Sequence, residues 1–223
     1  MHYNPFFIFC KMAKNQKQKM IVGIDEVGRG CLAGPVLVCA ITELKIQSRR
    51  HSEGVERPKN LNGRDSKKTS PKKREEIYEM LKKHPQVEWG IGRVSEKIID
   101  KINIFQATKL AMEKAVLALE KKIGQPANML LIDGNFGIGL NRPQQSIIKG
   151  DEKIFLISLA SIVAKVERDR LMIKMHRKYP QYGFDQHKGY GTKLHCERLS
   201  KFGCCPLHRR SFAPIKFFSQ KSS

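Results

Sequence analysis

Four carboxylates in this chain stand where carboxylates are costly. Asp25 and Glu26 close the apolar run Ile21-Val-Gly-Ile24, Asp133 closes Met129-Leu-Leu-Ile132, and Asp151 closes Ser146-Ile-Ile-Lys-Gly150. A buried carboxylate needs a cation or hydrogen-bond donors. In an α/β sheet, sites form at the carboxyl ends of the strands. If these three ends are neighbours, four acids converge, and they cannot all stay ionised without a compensating cation. An all-oxygen ligand set, with no His or Cys, selects Mg²⁺ or Mn²⁺ over Zn²⁺. Two such ions activate a water and hold the attacking and leaving oxygens of a phosphodiester in line. The chemistry that these residues point to is metal-dependent phosphodiester hydrolysis. One geometric condition attaches to it. Neighbours on a regular strand face opposite sides, so Asp25 and Glu26 serve one site only where the strand bends or ends. The glycines at 28, 30 and 34 fit such an ending.

The elements that must position these acids follow from the pattern of the chain. Residues 21–26 and 35–43 read as two buried strands joined by a glycine-rich connection, a hairpin. Residues 45–63 are polar and read as a loop. Ser70 before Pro71 fits a helix N-cap and first helical position, with a helix to about His84. Residues 87–95 read as a strand with Val87, Trp89 and Ile91 on one side. Asn103 caps a helix from about Ile104 to Lys122, whose wide apolar face packs deep, and Gly124 stops it. Residues 129–133 and 146–151 read as strands ending in Asp133 and Asp151. A long helix spans about Ile154 to Tyr179, and a short one fits Thr192 to Lys201.

The 223 residues carry a formal net charge of +21, with basic residues recurring along the whole chain. Such a charge invites a polyanion, nucleic acid first and an anionic membrane surface second. No stretch approaches membrane-spanning length. Phe6 to Cys10 is too short for the apolar part of a leader and has no basic residue before it, so no leader is expected. The six cysteines include no CxxC pair. His195, Cys196, Cys204, Cys205 and His208 cluster in sequence, but at no standard zinc spacing. With no disulfide scaffold in view, the cytoplasm is the expected compartment. No Walker loop or dinucleotide fingerprint is present.

Seven ordered stretches resemble those of the bacterial ribonuclease HII family. They are Ile24-Asp-Glu-Val-Gly-Arg-Gly30, Asp65-Ser-Lys-Lys68, Ile132-Asp-Gly134, Lys149-Gly-Asp151, residues 160–169, residues 187–192 and residues 208–214. The resemblance runs from about residue 20 to 215. It implies a ribonuclease H-like α/β fold, with a mixed five-stranded sheet flanked by helices and a helical C-terminal part over about 180–215. Residues 1–19 are then a flexible N-terminal extension and 216–223 a tail. It implies cutting of RNA within RNA–DNA hybrids, and incision on the 5′ side of ribonucleotides embedded in duplex DNA, leaving 3′-hydroxyl and 5′-phosphate ends. Asp25, Glu26, Asp133 and Asp151 become the catalytic metal ligands. Gly28, Arg29 and Gly30 match the loop that contacts the 2′-hydroxyl at the RNA–DNA junction. Tyr190 matches the tyrosine that stacks on the following deoxyribose. Arg64, Ser66 and Lys67 lie where the family contacts backbone phosphates. A monomer is expected. Cys31 departs from the family, which usually has proline there. The sister family, ribonuclease HIII, reads Gly-Thr-Gly at 28–30 and carries a folded N-terminal platform that nineteen residues are too few to form.

Taken singly, several of these features have plainer readings. Asp133-Gly134 alone is a turn. Asp151 and Glu152 alone suit the start of a helix, and Asp151 is preferred by its match to the motif. Asp169 reads as a helix-face ion pair, and the pair Arg209-Arg210 as solvated charge. The alternative function is a non-catalytic, basic nucleic-acid-binding protein, which has no use for clustered buried acids.

Overall fold

The computed structural model describes residues 19–44 and 69–216. Arg64, Ser66, Lys67 and the expected loop at 45–63 lie outside the described residues, as do 1–18 and 217–223.

The strands are β1 (Ile21–Val27), β2 (Val36–Glu43), β3 (Val87–Val94), β4 (Met129–Asp133) and β5 (Gln144–Ile147). They form one mixed sheet in the order β3-β2-β1-β4-β5. β1 pairs with β2, and β2 with β3, in antiparallel fashion, while β1–β4 and β4–β5 are parallel. The helices are α1 (Pro71–Lys83), α2 (Glu96–Ile123), α3 (Gly150–Lys153), α4 (Phe155–Lys178), α5 (Phe184–His187) and α6 (Lys193–Phe202).

Alternation along the strands builds two cores. Val22, Ile24, Val36, Val38, Leu130 and Ile132 face α2 and its Ala107, Ala111, Met112 and Ala115. Leu37, Cys39 and Ile41 face the other way, against α1 and α4. Each fully buried Ile or Leu contributes about 1.5–3 kcal/mol. A third cluster joins Leu32 and Ala33, just before β2, to Met172 of α4 and to Phe184 and Leu199 of the C-terminal part.

The local signals hold at several helix starts. The Ser70 hydroxyl accepts the Lys73 N–H, with Pro71 at the first helical position. Asn103 Oδ1 accepts the Gln106 N–H at 3.1 Å. Asn103 sits at φ 64, and an additional helical segment from Glu96 precedes it. Thr192 caps α6 through the His195 N–H.

One expectation is corrected. Asp151 does not end a strand: β5 stops at Ile147, Lys149 turns at φ 55, and Asp151 lies in α3. The apolar pair Ile147-Ile148 mimics a strand, but Ile148 is exposed.

Candidate active site

The β1–β4 ladder pairs Ile24 with Ile132 and goes no further. Asp25 and Asp133 follow these two residues, so both acids emerge side by side where the ladder ends. Gly23 and Asp25 point to the α4 side of the sheet, where a Cβ on Gly23 would strike Leu156. Glu26 has the opposite parity. It reaches the same place because β4 no longer flanks β1 at that level. One carboxylate oxygen from each of Asp25, Glu26 and Asp133 lies within 4.8 Å of the others. Two oxygens on opposite sides of one Mg²⁺ are about 4.2 Å apart, so small rotations bring this trio onto a divalent cation.

The electrostatics of the trio favour a cation. Burial pushes the Asp25 carboxyl well above the usual carboxylate range, and the nearby Glu26 and Asp133 push it further. The Ser161 hydroxyl and the Glu26 N–H, at 2.7 Å, donate to Asp25 and offset only part of this. Burial also raises Glu26, against the pull of Arg29 Nη1 at 3.3 Å from its Oε1. The other oxygen, Oε2 of Glu26, is buried and accepts no hydrogen bond among the described residues. An acid cluster with an unsatisfied buried oxygen fits hard divalent cations, which bind carboxylate oxygens.

Asp151 is not one of the three acids that meet within 4.8 Å, but it is tied to them. Asp133 Oδ1 accepts the Gly150 N–H at 2.7 Å, which fixes the start of α3 against β4. Asp151 is fully buried there, while Glu152 points to solvent. That difference favours Asp151 as the fourth acid.

Asp25, Glu26 and Asp133 line a cleft of about 370 Å³ whose walls include Gly28, Arg74, Ser161, Lys165 and Tyr190. A larger hollow of about 430 Å³, between Asp100–Ile104 and Ser211–Phe212, lies away from the acids. Tyr190 is 39% exposed, with Lys165 Nζ 5.4 Å and Arg168 Cζ 5.8 Å from its ring centre. Its side chain hydrogen-bonds Cys31.

The two loop glycines differ. Gly28 has φ 89, and a Cβ there would collide with the Arg168 guanidinium. A Cβ on Gly30 meets nothing within 4 Å, so that position is open to an approaching molecule.

Ser161, Lys165 and Arg74 are wall residues that the sequence reading does not single out. Ser161 and Lys165 are one helical turn apart inside the stretch 160–169, and that spacing was the available signal. Asp169 pairs with Lys165 at 2.8 Å, as a helix-face ion pair should. Arg209, by contrast, is fully buried and not solvated, and so is Arg168.

The histidines and cysteines of the C-terminal part build a hydrogen-bonded chain and, among the described residues, no metal-ligand group. The Cys205 N–H donates to His208 Nδ1 at 2.9 Å, and His208 Nε2 meets His195 Nε2 at 3.1 Å. His195 Nδ1 then donates to the Tyr190 carbonyl at 2.9 Å. Every bond in this chain is satisfied when both rings are neutral.

A mixed sheet with clustered acids at its central strand ends, under a basic surface, defines a metal-dependent nuclease of the ribonuclease H-like class. Comparison with known proteins gives the particular branch. The family model described as Ribonuclease HII matches residues 22–215. A ribonuclease HII from Alkaliphilus metalliredigens is 49% identical over 86% of this chain and 89% of its own length. One from Chlamydia trachomatis serovar A is 44% identical over 94% of this chain and 89% of its own. The crystal structure of the ribonuclease H2 from Pyrococcus horikoshii OT3 superposes with a TM-score of 0.67 at 24% identity, covering 91% of this chain and 98% of that one. The chain belongs to the ribonuclease HII family. It is a metal-dependent endoribonuclease of the ribonuclease H type, acting on RNA–DNA hybrids.

Proposed function

We propose that the chain hydrolyses the RNA strand of RNA–DNA hybrids and also incises on the 5′ side of single ribonucleotides embedded in duplex DNA. The cut leaves 3′-hydroxyl and 5′-phosphate ends. The observation that carries this reading is the trio Asp25, Glu26 and Asp133 at the end of the β1–β4 ladder, within 4.8 Å of one another.

In this reading Asp25, Glu26, Asp133 and Asp151 hold Mg²⁺ or Mn²⁺. When bound, two such ions supply Lewis-acid activation of water and stabilise the in-line displacement at phosphorus. The rest of the work falls to the chain itself. Ser161 and the Glu26 N–H orient the Asp25 carboxylate. The Gly150 N–H orients Asp133. Arg29, paired to Glu26, keeps that acid aimed into the cleft. Gly30 lets the backbone approach a ribose closely, and the 2′-hydroxyl is the group that separates RNA from DNA. Tyr190 offers a ring face for the deoxyribose that follows, where a second 2′-hydroxyl would obstruct stacking. Lys165 and Arg74, with Arg64 and Lys67, supply positive charge for backbone phosphates, and Ser66 a neutral hydroxyl donor.

A role limited to binding is disfavoured by the acids, which repel phosphate unless cations accompany them. The protein is proposed to work as a cytoplasmic monomer, with residues 20–215 as the catalytic domain. No described helix is long and apolar enough to cross a membrane.

The test is an end-labelled DNA duplex holding one ribonucleotide, incubated with Mg²⁺ and with Mn²⁺. A single cut 5′ to the ribonucleotide is expected with either metal. Cutting of long hybrids alone would remove the embedded-ribonucleotide half of the reading.

A further inference from the structure

Arg168 and Arg209 are fully buried, and the chemistry above uses neither. Among the described residues neither pairs with a carboxylate. A buried charge without a counter-charge is costly, so its hydrogen bonds matter. Among the described residues their six hydrogen bonds all go to backbone carbonyls. Arg209 donates from Nη2 to Gly28 (2.7 Å), from Nη1 to Arg29 (2.8 Å) and from Nε to Gly34 (2.9 Å). Arg168 donates from Nη1 to Lys188 (2.7 Å), from Nη2 to Ala33 (3.1 Å) and from Nε to Pro35 (3.3 Å).

These bonds fix the polarity of two peptide units. In a trans peptide the C=O and the following N–H point in opposite directions. Because Arg209 takes the carbonyls of Gly28 and Arg29, the N–H groups of Arg29 and Gly30 point away from it. Among the described residues neither N–H has an acceptor, and the space beside Gly30 is open. Successive outward N–H groups form a concave donor pair suited to an oxygen-rich ligand.

The same arginines set a spacing. Arg168 bridges Ala33 and Pro35 to Lys188, two residues before Tyr190. The Leu32 N–H donates to the Gly189 carbonyl at 2.8 Å. The loop and the Tyr190 segment are therefore one rigid body. Lysine is no substitute, because its three donors leave a single point and do not span three carbonyls in a plane.

We propose that Arg168 and Arg209 are positioning residues for substrate selection. They turn the Arg29 and Gly30 amides outward and hold them at a fixed distance from the Tyr190 ring. A ribose-to-deoxyribose step is then met by two donors and an aromatic face at once. The inference rests on the reading that this loop and Tyr190 meet the junction.

The experiment compares the full-length protein with Arg209→Lys and Arg168→Lys on a one-ribonucleotide duplex and on a uniform hybrid, after circular dichroism has confirmed folding. The expected result is a KM on the one-ribonucleotide duplex raised by about tenfold, more than on the uniform hybrid, with cuts scattered over neighbouring positions. A fall in kcat smaller than the rise in KM is also expected. Folded lysine variants with unchanged KM ratio and cut position would overturn the proposal. If the lysine variants do not fold, amide NMR shifts in Asp133→Asn decide. The Arg29 and Gly30 amides should move on adding the one-ribonucleotide duplex and not on adding all-DNA duplex, and unmoved amides overturn the proposal. A wild-type protein that cuts neither substrate counts against the function reading, while the amide shifts still judge the positioning role.

Discussion

Asp25 is buried against two further carboxylates, and its carboxyl is held well above the usual range, chiefly by burial. An acid whose pKa is raised by folding loses stability as pH rises from its unfolded value through its folded one. At neutral pH without metal, the charge at this position therefore works against the fold. Asp25→Asn should melt at a higher temperature than the wild type in chelator, and should respond less to Mg²⁺. In the wild type, Mg²⁺ at a hundred times its Kd should add about 2.7 kcal/mol. A variant that melts lower in chelator would contradict this account of the acid cluster. Asp25, Glu26 and Asp133 were legible because they stand where an apolar strand ends, and Asp151 by its match to a motif, although the element that carries it was read as a strand. Arg168 and Arg209 were not legible. Nothing local distinguishes a buried arginine from a solvated one, and the carbonyls that hold Arg209 lie at Gly28, Arg29 and Gly34, far away in sequence.

At the scale of elements, the close seating of α2 on the sheet depends on missing side chains in β3. A Cβ on Gly92 would overlap the Ala111 carbonyl oxygen, and one on Gly90 the Ala115 carbonyl. Gly92→Ala should destabilise the fold by roughly 1–3 kcal/mol or more, read as a lower urea midpoint. A midpoint shift equivalent to less than about 0.5 kcal/mol would mean that the helix re-seats freely. Helix starts at Ser70 and Asn103 were readable because each cap acts within three residues, and the last helix was placed to within a residue, with Thr192 as its cap and not its first turn. The end of β5 was not. Its edge position lets Gln144, Gln145 and Ser146 stay exposed, so the apolar pattern pointed one element too far, and the left-handed turn at Lys149 carries no glycine to announce it. The C-terminal elements bring a pH dependence. Burial lowers His195 and His208 to about 4, and lowers His187 as well. Bases whose pKa is depressed by folding contribute stability that is full above the unfolded value of about 6.5 and is lost as pH falls toward 4. Protonation of His195 or His208 also breaks the chain that ends on the Tyr190 carbonyl. Denaturation midpoints in the Asp25→Asn background, where the opposing acid contribution is smaller, should fall between about pH 7 and pH 4.5. A flat profile would contradict the neutral histidine chain.

The whole chain carries a net charge of +21, while Asp25, Glu26 and Asp133 floor its cleft. Attraction to nucleic acid therefore comes from the surface at large, and the cleft accepts the phosphate only together with cations. Hybrid affinity should fall steeply with salt, by about 10³-fold or more between about 50 and 200 mM if six or more phosphates are contacted. A shallow salt slope would show that the basic surface is not the docking face. The family, the mixed sheet and the acid cluster could be read from ordered stretches of sequence. The two-arginine clamp needed the fold because it joins Arg168 and Arg209 to carbonyls between Gly28 and Pro35, and the histidine chain needed it because its links run through side chains that only folding brings together.

The central claim is that the carboxylate trio drives cleavage by holding divalent metal. Its most direct measurement is the rate of hybrid cleavage in Mg²⁺ by the wild type and by Asp133→Asn, with binding measured in parallel. Asp133→Asn removes one ligand charge while its side-chain oxygen can still accept the Gly150 N–H. Cleavage should drop by at least about a hundredfold while hybrid affinity stays within a few fold. Undiminished cleavage by Asp133→Asn would contradict the account.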